Sequence, residues 1–210
     1  MPPNTMAAAT AELMGRDPVL AGLVDRFGTP PRRRPVRTSD RFAHLAETIV
    51  YQQLAGVAAA TIHGRFVAAL GGDITPGSVL AASPELLASA GLSGAKARSI
   101  RDLAEQVLDG RIELGRIGRL SDDQVVEHLV HVRGIGPWTA QMFLLSTLGR
   151  LDVWPTGDYG VRAGFARAWE LPDIPSPREL GELGEPFRPY RSLVAWYCWR
   201  VLDEKIPGGG

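Results

Sequence analysis

Hydrophobic side chains recur every three to four residues through most of the chain, which is the period of an amphipathic α-helix. In the clearest case, from Ser93 to Leu108, one face carries Ile100, Leu103, Ala104 and Val107. No segment shows the alternation of apolar and polar residues, with β-branched enrichment, that is typical of a strand. The pattern therefore predicts an all-α fold of about ten short helices.

Capping signals mark where these helices begin. A Ser, Thr or Asp followed by proline favours a helix start, because the side chain accepts backbone N–H groups and proline suits the first helical position. This pair opens helices at Asp17, Thr75 and Ser83, and Ser121 forms a capping box with Gln124. The other predicted helices run from a Thr38-Ser39-Asp40 cap to about Gln53, over 57–70, over 137–148, over 158–169, and from about Pro189 to Lys205.

Composition excludes several kinds of site. The 210 residues contain a single cysteine, Cys198, which rules out an internal disulfide framework, a four-cysteine zinc site and an iron–sulfur cluster. The four histidines have no i, i+4 pair beside a carboxylate, so metal catalysis lacks its ligands. With 45% hydrophobic residues, the chain can form one compact domain or two small lobes.

The net charge gives no sign of a nucleic-acid partner. Basic and acidic residues number 23 each, whereas nucleic-acid-binding proteins usually have a basic excess. An early arginine cluster is flanked by prolines, which is typical of a solvated linker: Arg32, Arg33, Arg34, Arg37 and Arg41. No apolar run reaches the ~20 residues that span a bilayer. No secretory signal opens the chain, so we expect a soluble intracellular protein.

A Gly-Ile-Gly turn between two predicted helices is the most informative stretch. It lies in the sequence HVRGIGPWTA, residues 131–140. Its glycines allow positive φ and close backbone approach, and the N–H groups that open the next helix favour an anion. The backbone of Gly134, Ile135, Gly136 and Thr139 is thus a candidate phosphate site without a basic side chain. An ordinary glycine-capped connection explains the turn equally well, since Gly-x-Gly is a weak signal.

A second candidate lies in the loop LDVWPTGDYGVR, residues 151–162. Pro155 and Gly157 interrupt the helical pattern and place Asp158 at the N-cap of the next helix. Aspartate caps helices well, so capping alone explains it. A capping carboxylate is also fixed in orientation beside a helix N-terminus, as a reaction through a cationic intermediate would require.

The hairpin, the Gly/Pro-rich loop and the following aspartate together resemble the signature of the helix-hairpin-helix (HhH-GPD) DNA glycosylases. Within that superfamily, the chain is most similar to the 3-methyladenine DNA glycosylase II (AlkA-type) group. Two further stretches agree, ETIVYQQL at 47–54 and FRPYRSLVAWY at 187–197. The four motifs cover roughly residues 40 to 205 in the order of the family, and such an order is far more specific than any one of them.

The resemblance implies a monofunctional enzyme that flips alkylated bases, such as 3-methyladenine and 7-methylguanine, out of duplex DNA and hydrolyses the glycosidic bond. Asp158 would be the catalytic carboxylate. Trp138 takes the position of the lysine that forms a Schiff base in bifunctional relatives such as endonuclease III. The only lysines are Lys96 and Lys205, so we expect no strand cleavage. The four cysteines that hold an iron–sulfur cluster in some relatives are absent, so we expect no cluster.

The resemblance also assigns the base pocket and the DNA contacts. Trp138 and Tyr190 match aromatic pocket walls, Met142 replaces a further pocket tyrosine, and Trp154 is left open between wall and packing. For Trp196 and Trp199 we prefer core packing. The residue that wedges into the duplex is Gln53, with Leu54 as competitor one register step away. A Na⁺ or K⁺ ion is implied at the hairpin carbonyls of Val130, Val132 and Ile135.

The resemblance implies a minimal, monomeric form without the α/β domain that some relatives carry. A central helical lobe at 45–150, with the hairpin motif at about 125–148, would pack against a second lobe of 7–44 and 151–205. Asp158 would lie at the cleft between them, with flexible tails at 1–6 and 206–210. The compartment would be cytoplasmic in a bacterium and nuclear in a eukaryote.

Two alternatives stay open at this point. A related glycosylase could act on mismatched adenine or an oxidised base, since few side chains decide pocket specificity. A non-catalytic DNA-binding module could use the hairpin alone, although the aspartate in its loop argues against this.

Overall fold

The structure is a computed structural model that describes residues 6–32, 34–54 and 56–203. Within these residues the chain forms twelve α-helices, three short 3-10 turns and no strand, which confirms the all-α prediction. The helices are α1 (Met6–Arg16), α2 (Pro18–Phe27), α3 (Arg41–Tyr51), α4 (Gly56–Ala69), α5 (Pro76–Ala81), α6 (Pro84–Ser89), α7 (Gly94–Leu108), α8 (Asp122–Leu129), α9 (Pro137–Ser146), α10 (Tyr159–Ala168), α11 (Pro177–Leu183) and α12 (Arg191–Asp203).

The predicted caps account for most helix starts. The Asp17 carboxylate accepts the N–H of Leu20 at 3.0 Å. Ser93 caps α7, and Ser121 forms the predicted capping box with Gln124 at the start of α8. Each cap satisfies N–H groups that have no partner within the helix, so these local signals are reliable wherever the helix begins in solvent.

Three local predictions need correction. The Thr38-Ser39-Asp40 segment is a 3-10 turn without a side-chain cap, because the Asp40 carboxylate instead accepts hydrogen bonds from Arg37 and Ser39. Helix α11 was not predicted, although Ser176 and Glu179 form the same kind of capping box as at α8. Met6, predicted to lie in a tail, begins α1, whereas 1–5 and 206–210 lie outside the described residues.

The chain divides into two compact units. The terminal unit contains the described residues 6–32 and 150–203, and the central unit runs from Arg34 to Gly149. The first break precedes α3, whereas a boundary at 45, as predicted from the sequence, would divide that helix. No helix in the described part of the chain is long and apolar enough to cross a membrane.

The central unit is built around α3, which packs against α4, α7 and α9. Its apolar face supplies Leu45 and Ile49, and α7 contributes Ile100 and Leu103, all of them fully buried. Helix α8 packs on α9, so the hairpin that joins them is tied to this core at both ends.

The terminal unit is built around α10 and α12, which pack against each other. Their aromatic core includes a stacked pair, Phe165 and Trp169, with ring centroids 4.1 Å apart. Gly164 faces the α12 backbone, where a Cβ would collide with the carbonyl of Cys198. A glycine at this position therefore sets how closely the two helices approach. Burial between them raises the pKa of the Cys198 thiol.

We predict that Gly164→Ala destabilises the protein by about 3 kcal/mol or more, because overpacking against backbone cannot be relieved by a rotamer change. Gly22→Ala is the matched control, since Gly22 also lies inside a helix of the terminal unit but has nothing near its added Cβ. The control should gain about 0.5–1 kcal/mol. Urea unfolding measures both, and equal stability of the two variants would contradict the close approach of α10 and α12.

Candidate active site

Asp158 caps α10, as the sequence predicted. Its Oδ1 accepts the backbone N–H of Val161 at 2.8 Å and the indole Nε1–H of Trp199 at 3.0 Å. The side chain is half-buried at the N-terminus of a ten-residue helix, where negative charge is favoured. These hydrogen bonds fix the orientation of this carboxylate.

Trp199 is the candidate site residue that sequence reasoning missed. It was assigned to core packing, but it is half-buried and donates to Asp158. A Cβ at Gly160 would lie 2.9 Å from Trp199 Cδ1, so glycine at the second position of α10 makes room for the indole. The Asp-x-Gly spacing is the one local signal of this contact, because the tryptophan itself lies 41 residues after Asp158.

Tyr190 and Trp154 are core residues. Tyr190 is only 1% exposed, and its hydroxyl donates to Glu12 at 3.1 Å. Burial, with this hydrogen bond, raises the pKa of the Tyr190 hydroxyl. Trp154 is 6% exposed and donates to the carbonyl of Leu180 at 2.7 Å. Both rings therefore pack in the core of the terminal unit, and the pocket role predicted for Tyr190 and left open for Trp154 stays a prediction.

The other two predicted pocket residues belong to the central unit. Trp138 is the second residue of α9 and is 41% exposed, which is unusual for so large an apolar side chain. Met142 follows it by four residues and is half-buried. Residues at i and i+4 are neighbours on a helix surface, so these two side chains offer one apolar strip on α9.

The hairpin between α8 and α9 has the backbone that an anion site needs. Gly134 has φ 76° and is exposed, whereas the Ile135 side chain is buried and anchors the turn. Gly136 is the N-cap of α9 and makes no side-chain cap hydrogen bond. Because glycine has no side chain, the N-cap residue does not accept hydrogen bonds from the first turn of α9. An anion can take that place.

Helix α7 braces this hairpin from below. The Asp102 carboxylate accepts the backbone N–H of Arg133 at 2.7 Å, and Gln106 Nε2 donates to the carbonyl of His131 at 3.3 Å. A Cβ at Gly134 would collide with the hydroxyl of Ser99, so this glycine is required by packing as well as by its φ. Polar contacts from α7 consequently help to hold the turn in one conformation.

The predicted DNA wedge lies in the turn between α3 and α4. Gln53 has φ 55° and is exposed, and Leu54 is 38% exposed. A left-handed glutamine costs on the order of 1 kcal/mol, and such conformations persist where the surroundings impose them. The preceding Gln52 donates to the carbonyl of Gly134 at 3.1 Å.

The hairpin carbonyls predicted to hold a monovalent cation are those of Val130, Val132 and Ile135. The Val132 carbonyl accepts the N–H of Ile135 at 3.0 Å, which uses one of its two lone pairs. Backbone carbonyl oxygens are suitable ligands for K⁺, so this donor set fits such an ion. Within the described residues, no group of three or more His, Cys, Asp or Glu could hold a metal ion.

An all-α fold with a glycine hairpin, followed by a carboxylate that caps a helix, agrees with a known superfamily of DNA repair proteins. The family model for the HhH-GPD superfamily of base excision DNA repair proteins matches residues 46–189. The chain belongs to this superfamily.

Relatives of known name cover most of the chain. DNA-3-methyladenine glycosylase 1 of Schizosaccharomyces pombe is 30% identical over 201 residues, which are 94% of this chain and 88% of that protein. The structure of a 3-methyladenine DNA glycosylase from S. pombe with abasic DNA matches with a TM-score of 0.82 and 31% identity, over 91% of this chain and 95% of that one. A DNA-3-methyladenine glycosidase of Bacillus halodurans has a TM-score of 0.82 and 30% identity, over 93% and 89%.

Proposed function

We propose that this protein is a monofunctional DNA glycosylase of the 3-methyladenine II type, which removes alkylated bases from duplex DNA by hydrolysis. The observation that carries the proposal is the position of the Asp158 carboxylate after the glycine hairpin, where the N–H of Val161 and the indole of Trp199 hold it. Relatives named 3-methyladenine glycosylases, about 30% identical over most of the chain, support the substrate class.

The reaction needs an anion more than it needs an acid. Breaking the bond between C1′ and the base leaves the electron pair on the base and positive charge on the sugar. An alkylated purine such as 3-methyladenine already carries positive charge, so it departs as a neutral molecule. The carboxylate of Asp158 stabilises the cationic sugar. It then takes a proton from the water whose oxygen bonds to C1′.

We predict that Asp158→Asn lowers single-turnover release of 3-methyladenine by about 100-fold or more, because the amide keeps the capping oxygen but loses the charge. Asp17→Asn is the matched control. Asp17 also caps a helix, and it also accepts an indole N–H, from Trp169 at 3.1 Å. The control should keep full excision. Equal excision by the two variants would show that Asp158 is a cap and nothing more.

We also predict that Trp199→Phe lowers kcat by about 10- to 100-fold with little change in KM, since a hydrogen bond to a charged group is worth about 1.5–3 kcal/mol. The phenyl ring keeps most of the packing and loses only the N–H donor to Asp158. Trp169→Phe makes the same change at Asp17 and should leave kcat within about twofold, because its indole bonds a carboxylate outside the site. A raised KM with unchanged kcat in Trp199→Phe would assign the indole to substrate binding instead.

Strand cleavage by these enzymes needs a lysine amine that forms a Schiff base with the sugar. By its resemblance to the family, the chain has Trp138 at the position of that lysine, and an indole cannot form a Schiff base. Lys96 is the one lysine within the described residues, and its ammonium donates to the carbonyl of Val50 at 2.7 Å. These two observations support simple hydrolysis that leaves an abasic site.

We predict that borohydride traps no covalent complex between the enzyme and DNA that contains 3-methyladenine, and that the abasic strand stays intact until alkali is added.

Base release from DNA that contains 8-oxoguanine or mismatched adenine tests the lesion class, because Met142 stands where the family has a pocket tyrosine. Release of either base without release of 3-methyladenine would move the protein to that alternative class. A trapped adduct would refute the monofunctional assignment.

The remaining DNA contacts follow the same assignment. The N–H groups of Gly134, Gly136 and Thr139 would bind a phosphate, whereas the N–H of Ile135 already donates to the Val132 carbonyl. The carbonyls of Val130, Val132 and Ile135 would hold a cation that adds positive charge beside this phosphate. Trp138 and Met142 supply the apolar strip on which an extruded base would stack. The exposed pair Gln53 and Leu54 would fill the gap that this base leaves.

A further inference from the structure

A single side chain joins the turn that carries the wedge to the hairpin that is proposed to bind phosphate. The side-chain amide of Gln52 donates one hydrogen bond to the carbonyl of Gly134 at 3.1 Å and one to Thr139 Oγ1 at 3.0 Å. These partners lie 82 and 87 residues further along the chain. An amide NH₂ has two N–H donors, and both donors of Gln52 are used in bonds to the hairpin segment.

Both ends of this connection are fixed. On the wedge side, Lys96 Nζ donates to the carbonyl of Val50, near the C-terminus of α3, and its partial burial lowers the pKa of the ammonium. On the hairpin side, Thr139 is only 3% exposed. Because the wedge turn and the hairpin are both held in place, a shift of one segment must move the other or strain the hydrogen bonds of Gln52. If either segment were mobile, it could shift without affecting the other.

The neighbouring backbone shows why such a connection is needed. Gln53 follows Gln52 directly and adopts a left-handed conformation that a glutamine rarely takes unaided. Gln52 itself is extended, with φ −53° and ψ 130°, so the chain leaves α3 at this residue. The anchored amide thereby sets the direction in which the exposed tip, defined as Gln53 and Leu54, leaves the helix.

We propose that Gln52 is a positioning residue that couples insertion of the tip to phosphate capture by the hairpin. This inference rests on the proposed function, in which the tip enters the duplex and the hairpin binds its backbone. The two DNA contacts then form as one event, because a shift of either segment strains the two hydrogen bonds of Gln52. Gln52 touches neither the base nor the sugar in this account.

The test is a double-mutant cycle on affinity for duplex DNA with a tetrahydrofuran abasic analogue, which reports binding without chemistry. The tip arm is Gln53→Ala with Leu54→Ala. The hairpin arm is Gly136→Ala, since Gly136 has room for a Cβ and an ordinary φ of −94°, so the methyl obstructs only the approach of a phosphate. Each arm is measured in the native background and with Gln52→Met, which keeps the side-chain length but has no donors.

With Gln52 present, we expect the combined loss of affinity to differ from the product of the two single losses by at least about threefold. With Gln52→Met, the losses should multiply to within about 1.5-fold. The control background is Gln106→Met, because Gln106 also bonds the hairpin, through the carbonyl of His131, but does not touch the wedge turn. This background should keep the native non-additivity. Thermal unfolding of every variant separates loss of coupling from loss of fold.

Three outcomes would overturn the inference: multiplicative losses in the native background, unchanged non-additivity with Gln52→Met, or equal loss of coupling with Gln106→Met. Absence of any effect from either arm would overturn it as well, since there would be no contacts to couple. Failure of the proposed function is recognised separately. In that case the native protein would release no alkylated base, whereas the binding cycle on abasic-analogue DNA would still read out.

Discussion

The close approach of α10 and α12 is the constraint on which the candidate catalytic centre depends. Gly164 lets the α12 backbone come near, and Gly160, one turn earlier, leaves room for the Trp199 indole. Side chains at these two positions would push α12 away and break the 3.0 Å hydrogen bond from Trp199 to Asp158. Helix packing, and not the cap alone, therefore places the donor that holds the carboxylate.

The terminal unit contains the same arrangement twice, which shows what a capping aspartate does and does not establish. Asp17 and Asp158 each cap a helix and each accept an indole N–H. Asp17 divides its donors between Oδ1 and Oδ2, whereas Asp158 receives Val161 and Trp199 on Oδ1. Capping chemistry is thus compatible with a purely structural role, and the assignment of Asp158 depends on its order after the hairpin.

Local signals in the sequence predicted the helices and the position of Asp158, because capping depends on residues three apart. Ser176 and Glu179 carry the same capping signal, so α11 could also have been predicted from the sequence. Trp199 and Gln52 could not be read in this way, because their partners are 41 and 82 residues distant. Periodicity predicts that Trp199 lies on the apolar face of α12. Only the packing of α10 on α12 shows which group its indole N–H reaches.

Tyr190 shows what a sequence motif leaves open. Its place in a family motif suggested a pocket wall, yet the ring is buried and its hydroxyl bonds Glu12, a residue near the other end of the chain. A motif transfers the identity of a residue but not its exposure, which depends on what packs over it. In this chain α1 supplies that cover, and α1 was not predicted from the sequence.

The zero net charge agrees with DNA binding once the hairpin is considered as a rigid object. A flexible loop would have to be ordered on binding, and basic side chains would have to offset that entropy. Here Asp102 holds the N–H of Arg133, and Gln106 Nε2 bonds Asp102 Oδ2 at 2.9 Å, so the acid is occupied within the brace. The Asp102 carboxylate fixes the backbone whose N–H groups are proposed to bind phosphate, so a preorganised hairpin lowers the ordering cost that basic side chains would otherwise offset.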